Sequence, residues 1–199
     1  MRKINEIFYS LQGEGRHTGV ASVFIRFSGC NLRCPFCDTK HQNGRMMSDE
    51  EIAESVNRYP AQWIILTGGE PSLQIGEDFV TFLQTATDKK IAIETNGTNV
   101  LPSGIDWITL SPKTGISGAV ELPIRIEHAD EIKVVDIGQN LEPYFNLACR
   151  KRETLMYLQP CFVNDTEQYR HNIQRTVKRV LSDPRWVLSA QMHRFLDIP

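Results

Sequence analysis

Cys30, Cys34 and Cys37 lie in the segment GCNLRCPFCDT, spaced by three and then two residues. Thiolates so placed on one short loop can each take one iron of a [4Fe–4S] cubane, leaving the fourth iron without a protein ligand. An open iron is what a small molecule needs in order to coordinate metal directly. Zinc is the competing occupant. Structural zinc is usually closed by four ligands, and His41 follows closely enough to supply the fourth, so spacing alone leaves both metals in play. Pro35 and Phe36, between the last two thiols, favour the cluster, because an apolar neighbour shields it from water and tunes its potential. Cys149 and Cys161 stand apart and read as small buried hydrophobes. An odd cysteine count with a local cluster is not the spread, paired framework of a secreted disulfide protein.

Other reactive groups fall at the ends of apolar runs. Ile64 to Leu66 leads into Thr67-Gly68-Gly69-Glu70-Pro71, where glycines permit close backbone approach and strand-edge carbonyls suit a cationic amine. Ile93-Glu94-Thr95-Asn96-Gly97 offers a carboxylate able to accept from a ribose or to cap a turn. Leu110-Ser111-Pro112-Lys113 offers a hydroxyl and a cation apt for a carboxylate, and Gln159-Pro160-Cys161 ends a fourth run. Near the start, Leu11-Gln12-Gly13-Glu14-Gly15 is a glycine-rich turn followed by Arg26 on an apolar strand. Polar strand ends meeting on one face fit a single cofactor site better than scattered turns do.

The elements that must position these groups alternate between strand and helix, the pattern of an α/β fold with a largely parallel sheet. Strands are expected at Ile4–Leu11, Ser22–Ser28, Trp63–Thr67, Ile91–Glu94, Trp107–Leu110, Glu131–Val135 and Leu155–Leu158. Ser48 as N-cap with Glu51 three residues on completes a capping box and starts a helix. Further helices are expected at Glu77–Thr87, near Gln139–Cys149, and at Asp165–Leu181 with Tyr169, Ile173, Val177 and Val180/Leu181 as the buried stripe. Between Glu94 and Glu131 no 3.6-residue stripe appears. The expectation is therefore one domain over residues 1–199: an incomplete parallel βα barrel of about six strands, with some crossover helices missing or shortened.

CxxxCxxC with an aromatic directly before the last cysteine resembles the radical S-adenosylmethionine (SAM) superfamily signature, and LTGGEP downstream resembles its GGE motif, which holds the SAM amino group. LQGEG, GCNLRCPFCDT, LTGGEP, IETNG, LSPK and QPC, in that order, with the closing LSAQMHRFLDIP, resemble the 7-carboxy-7-deazaguanine synthase family over nearly the whole chain. The resemblance implies that Cys30, Cys34 and Cys37 hold a [4Fe–4S] cluster and that SAM binds its open iron and yields a 5′-deoxyadenosyl radical. Phe36, Cys37, Asp38, Gly69, Ser111, Pro112, Lys113, Gln159, Pro160, Cys161 and Phe162 would contact SAM, with Glu94 at the ribose. Leu11, Gln12, Gly13, Glu14, Arg26, Thr67 and His193 would surround the substrate, 6-carboxy-tetrahydropterin, and the terminal carboxylate of Pro199 would reach it. Thr39 matches a position that ligates Mg²⁺ in the family, a sensible oxygen partner for a hard cation. The radical would take hydrogen from C6 of the pterin. The ring would then contract, hydrogen return, SAM regenerate and ammonia leave. A homodimer follows from the same resemblance, and a flavodoxin or ferredoxin is the expected electron donor.

Composition narrows the setting. A formal charge of −2 gives no global attraction to nucleic acid or anionic lipid. No apolar run approaches the roughly 20 residues of a membrane span, and the start lacks a secretory signal pattern. A cytoplasmic setting is the expectation. Lys40, His41 and Arg45 give the segment after Thr39 a mildly basic face, read as a solvated loop ahead of a donor-docking one. Two alternatives stay open: a small radical SAM activase of a glycyl-radical enzyme, and a non-catalytic zinc-binding module.

Overall fold

Period-two alternation decides which face of each strand meets helices and which meets the cleft. The computed structural model of the chain describes residues 1–37, 39, 42–114 and 122–199. Among the described residues, nine strands form one sheet in the order β3-β1-β2-β4-β5-β6-β7-β8-β9. They are β1 (Arg2–Leu11), β2 (Ala21–Phe27), β3 (Arg45–Met47), β4 (Trp63–Gly68), β5 (Lys90–Thr95), β6 (Trp107–Leu110), β7 (Ala129–Asp136), β8 (Arg150–Pro160) and β9 (Val187–Leu188). From β2 through β9 the pairing is parallel, while β1 is antiparallel to both β2 and β3. The sheet curls without closing, as expected of an incomplete barrel.

Helices cover only part of the convex face. α1 (Asp49–Asn57) carries the expected capping box, with Ser48 accepting from the Glu51 N–H and Glu51 accepting from the Ser48 N–H. α2 (Glu77–Thr87) packs beside it and ends on Asp88 in the left-handed conformation. Ile52, Val56, Phe79, Val80 and Leu83 bury against outward strand residues such as Val23, Ile25, Ile64, Leu66, Ile91 and Ile93. No helix joins β5 to β6, and none joins β6 to β7 among the described residues. The helix expected near Gln139–Cys149 is a single 3₁₀ stretch, Glu142–Asn146. Its Tyr144 and Phe145 pack on the core, Phe145 against Trp186, so packing of two aromatics substitutes for a longer crossover.

α3 (Thr166–Ser182) is helical as expected, but its deepest positions are polar. Asn172 and Thr176 are its buried residues; Tyr169, Ile173, Val177 and Val180 are half-buried, and Leu181 is 81% exposed. Hydrogen bonding explains the rotation of the buried stripe. Asn172 donates to the Cys161 carbonyl at 2.8 Å, and Thr176 donates to Asp136 Oδ2 at 2.8 Å. Asp136 is fully buried and also receives Arg179 at 2.6 Å. The short strands β3 and β9 and the short helix α4 (Met192–Leu196) had no expected counterpart.

Asp136→Ala would take the buried carboxylate away from two arginines and a threonine, leaving each with its remaining oxygen partners. Both guanidinium partners are about a quarter exposed, which brings the loss below that of a fully buried pair, to about 2–3 kcal/mol. The urea midpoint should fall with its slope unchanged.

Candidate active site

The concave face changes character along the strands. At their N-terminal ends Phe24, Ile65 and Ala92 form a small apolar cluster with Phe8, Trp63 and Trp107. Two residues further along the same alternation come Arg26, Thr67 and Glu94, with Lys133 and Gln159 on β7 and β8. Polar groups from five strands thus face one space at the C-terminal strand ends, where βα folds build their sites.

Two adjoining cavities open there. The first, about 200 Å³, has Cys30, Cys34, Phe36 and Cys37 on one side and Gly68, Gly69 and Glu70 at the end of β4. Across from them lie Glu94, Ser111, Lys113, Gln159, Pro160, Cys161 and Phe162. Pro112 is buried between its neighbours and does not line the space. Asp38, Lys40 and His41 lie outside the described residues, so the cofactor contact expected of Asp38 and the fourth zinc ligand expected of His41 do too.

The cysteine loop is held by the glycine strand end. The Gly69 N–H donates to the Phe27 carbonyl at 3.0 Å and the Glu70 N–H to the Gly29 carbonyl at 2.9 Å. A methyl at Gly69 would run into that Gly29 carbonyl, so only glycine lets the loop cross here. Glu70 is itself consumed in structure, accepting from Ser72, from Thr95 Oγ1 at 2.7 Å and from the Asn96 N–H at 2.7 Å. Its carboxylate ties the ends of β4 and β5 together, leaving the backbone around Gly68 and Gly69 at the cavity. Lys113 donates to Ser111 at 2.6 Å and lies over the Phe36 ring, 5.8 Å from its centroid. The three thiols suit a cluster chemically: all line one cavity, and the Leu32 N–H donates to Cys30 Sγ at 3.4 Å. They share the space without converging, since no three His, Cys, Asp or Glu side chains among the described residues are drawn together as a metal site.

The second cavity, about 440 Å³, is lined by all eight residues expected around the substrate: Leu11, Gln12, Gly13, Glu14, Arg26, Thr67, His193 and Pro199. Arg26 already gives its Nε to Glu6 at 2.7 Å, so its terminal nitrogens are the donors left for an anion. Pro199 accepts from Ser10 Oγ at 2.8 Å. A methyl at Gly13 would collide with the His193 imidazole, and the Met192 N–H donates to the Gly13 carbonyl at 3.0 Å. Thr39, Thr67, Glu14, Glu94 and Gln191 line both cavities and form the rim between them.

Lys133 and Gln191 carry this rim, and neither was singled out in the sequence. Lys133 Nζ lies 2.6 Å from Glu14 Oε2 and 2.8 Å from Glu94 Oε2. Glu14 also receives Gln159 at 3.0 Å and Gln191 at 2.8 Å, and Glu94 receives Gln12 at 3.2 Å. Burial would raise Glu14, but the Lys133 charge and hydrogen bond, with help from Gln191 and His193, outweigh it and take its pKa down to about 2. Burial raises Glu94 too. There Lys133 does not compensate, and the Glu14 and Glu131 charges add to the rise, to about 7. Lys133 itself is held well above its usual value, its burial outweighed by the three glutamates. The available signal was alternation, since Glu131 and Lys133 are two residues apart and so share one face of the strand.

Known proteins place the chain in a family. The Radical SAM superfamily profile matches residues 24–134, so the cleft is that of a radical SAM enzyme. Over its whole length the chain is 50% identical, across 99% of the relative, to a 7-carboxy-7-deazaguanine synthase of Bacteroides thetaiotaomicron. It is 35% identical to that of Haemophilus influenzae, covering 98% of this chain and 93% of the relative. The crystal structure of QueE from Escherichia coli superposes with a TM-score of 0.77 at 28% identity, covering 96% of this chain and 94% of that one. The chain belongs to the 7-carboxy-7-deazaguanine synthase family.

Two outcomes are expected. Gly69→Ala should release the cysteine loop, so that anaerobic reconstitution retains less iron per chain while far-ultraviolet circular dichroism stays native. Glu94 has a folded pKa above its unfolded value near 4.5, so the native state binds more protons between about pH 4.5 and 7. Its stabilising contribution is present below that window and lost as pH rises through it. Urea stability compared at the two ends of the window should therefore fall less with pH in Glu94→Gln than in the parent chain.

Proposed function

We propose that the chain converts 6-carboxy-5,6,7,8-tetrahydropterin to 7-carboxy-7-deazaguanine with loss of ammonia, in 7-deazapurine (queuosine-type) biosynthesis. The observation that carries the reading is the shared rim: a cavity walled by three cysteines meets, across five common residues, a cavity walled by the LQGEG turn, Arg26 and the His193–Pro199 segment. When bound, the [4Fe–4S] cluster and SAM supply a 5′-deoxyadenosyl radical. Cys30, Cys34 and Cys37 would hold the cluster; the Gly68–Gly69 backbone, Ser111, Lys113 and the Gln159–Phe162 strand end would hold SAM.

In the second cavity the terminal nitrogens of Arg26 would take the substrate carboxylate, a pairing for which a planar guanidinium is suited. Glu14 and Glu94 would accept from the N–H-rich edge of the pterin. Glu14 has three donors on it already and is fixed in place; Glu94 has two, so it keeps more acceptor capacity. His193 would close the top, backed by Gly13, with Pro199 on the outer wall. Thr39, on the rim, would offer Mg²⁺ an oxygen ligand between cofactor and substrate carboxylate. The reading carries with it a homodimer, a flavodoxin or ferredoxin as electron source and a cytoplasmic setting.

An activase acting on a protein radical site is disfavoured by the second cavity, where the LQGEG turn and the His193–Pro199 segment wall the space beside Arg26, Thr67 and Glu94. The test is anaerobic incubation with reductant, SAM, Mg²⁺ and 6-carboxy-tetrahydropterin. Deazapurine formation is expected. Uncoupled 5′-deoxyadenosine without deazapurine would move the substrate assignment elsewhere, and stoichiometric zinc without SAM cleavage would return the chain to the binding-module class. Cys34→Ala leaves two thiolates and should abolish both the visible absorbance of the cluster and turnover.

A further inference from the structure

We propose that Lys133 is a positioning residue for this reaction, fixing the rim across which a radical formed in one cavity must reach the substrate in the other. The inference rests on the function proposed above and deepens it. Lys133 is 4% exposed, on the inward face of β7 between Glu131 and Val135. Its ammonium lies within hydrogen-bond distance of Glu14 and of Glu94, and those two carboxylates are among the five residues that line both cavities. Through Glu14 it reaches Gln159 on β8 and Gln191 before α4; through Glu94 it reaches Gln12 in the N-terminal turn. One cation therefore connects the turn after β1, strands β5, β7 and β8, and the C-terminal segment.

Physical necessity supports the assignment. Two desolvated carboxylates on one rim repel each other, and leaving a buried charge without its partner is strongly unfavourable. Glu131, two residues earlier on the same face, is occupied by Thr109 at 3.0 Å and by the Arg16 N–H at 2.9 Å. It adds negative charge to the same region. Without Lys133, Glu14 and Glu94 would have to separate, take up a proton or admit water. Each response shifts groups that face both cofactor and substrate. A radical is intolerant of that shift, since a misplacement of about 1 Å can cost about 100-fold in rate.

The experiment compares the parent chain with Lys133→Met and Lys133→Arg, all reconstituted anaerobically. The readouts are iron per chain, deazapurine formed, and 5′-deoxyadenosine released per deazapurine. Lys133→Met should keep its iron, lose about 100-fold in turnover, and release at least about 10-fold more 5′-deoxyadenosine per product. Lys133→Arg, which keeps a cation between the carboxylates, should bring the ratio back toward that of the parent. If Lys133→Met does not fold, the double variant Lys133→Met/Glu94→Gln removes the unbalanced charge and is measured in its place, with the same expected ratio. An unchanged ratio, or a ratio that Lys133→Arg fails to restore, overturns the positioning role. Absence of deazapurine from the parent chain overturns the function itself, and the Lys133 role with it.

Discussion

The hydrogen bond from the Met192 N–H to the Gly13 carbonyl, 3.0 Å long, joins the two ends of the chain across the mouth of an unclosed barrel. An open parallel sheet has a concave face that nothing in the βα repeat fills. Here the filling comes from the turn after β1 and the segment before α4. The Gly15 N–H donates to Ser189 Oγ and the Arg16 N–H to Glu131, so a buried residue of β7 and the buried residue just after β9 receive the turn directly. His17 packs tilted on Trp63 and edge-on to Trp107 and covers the apolar end of the same face. The remaining hollow is the reaction space, and its shape depends on that closure.

Charge balance is the second constraint. The rim holds Glu14 and Glu94 in a setting that raises the cost of each, and a single ammonium serves both. The consequence is unequal: Glu14 collects most of the donors and is held down to about 2, whereas Glu94 is pushed up to about 7. Two carboxylates of one type therefore face the substrate with different acceptor and proton-holding character. Environment separates them, as it does wherever acid and base roles fall to the same residue type.

Much of this was legible beforehand. The Ser48–Glu51 capping box, the strand runs and the gap in helical periodicity after Glu94 each reflect local rules, and each appears in the fold. The cysteine spacing and the glycine strand end were legible because their geometry is encoded in a few adjacent residues. What escaped reading was tertiary. The 3₁₀ stretch at Glu142–Asn146 depends on Tyr144 and Phe145 finding the core. The polar centre of α3 depends on Asp136 and the Cys161 carbonyl awaiting Asn172 and Thr176. Lys133 reads only as a charged residue within an expected strand, and the parallel partners on both sides are what turn it inward.

The same distinction separates the two halves of the cleft. Gly69 and the cysteine loop meet through backbone hydrogen bonds within one sheet corner, so the cofactor side is set by local chain geometry. The substrate side is assembled from residues as far apart as Gln12 and Gln191, linked by side chains through Glu14, Glu94 and Lys133 and by the single Met192–Gly13 backbone hydrogen bond. Backbone contacts resist substitution except where glycine is required, whereas a side-chain network can be altered at any one member. A fold built this way can keep its radical source fixed while the walls that choose the radical's target change. The rim is where those two demands meet, because its carboxylates must stay in register with a rigid corner on one side and an adaptable wall on the other.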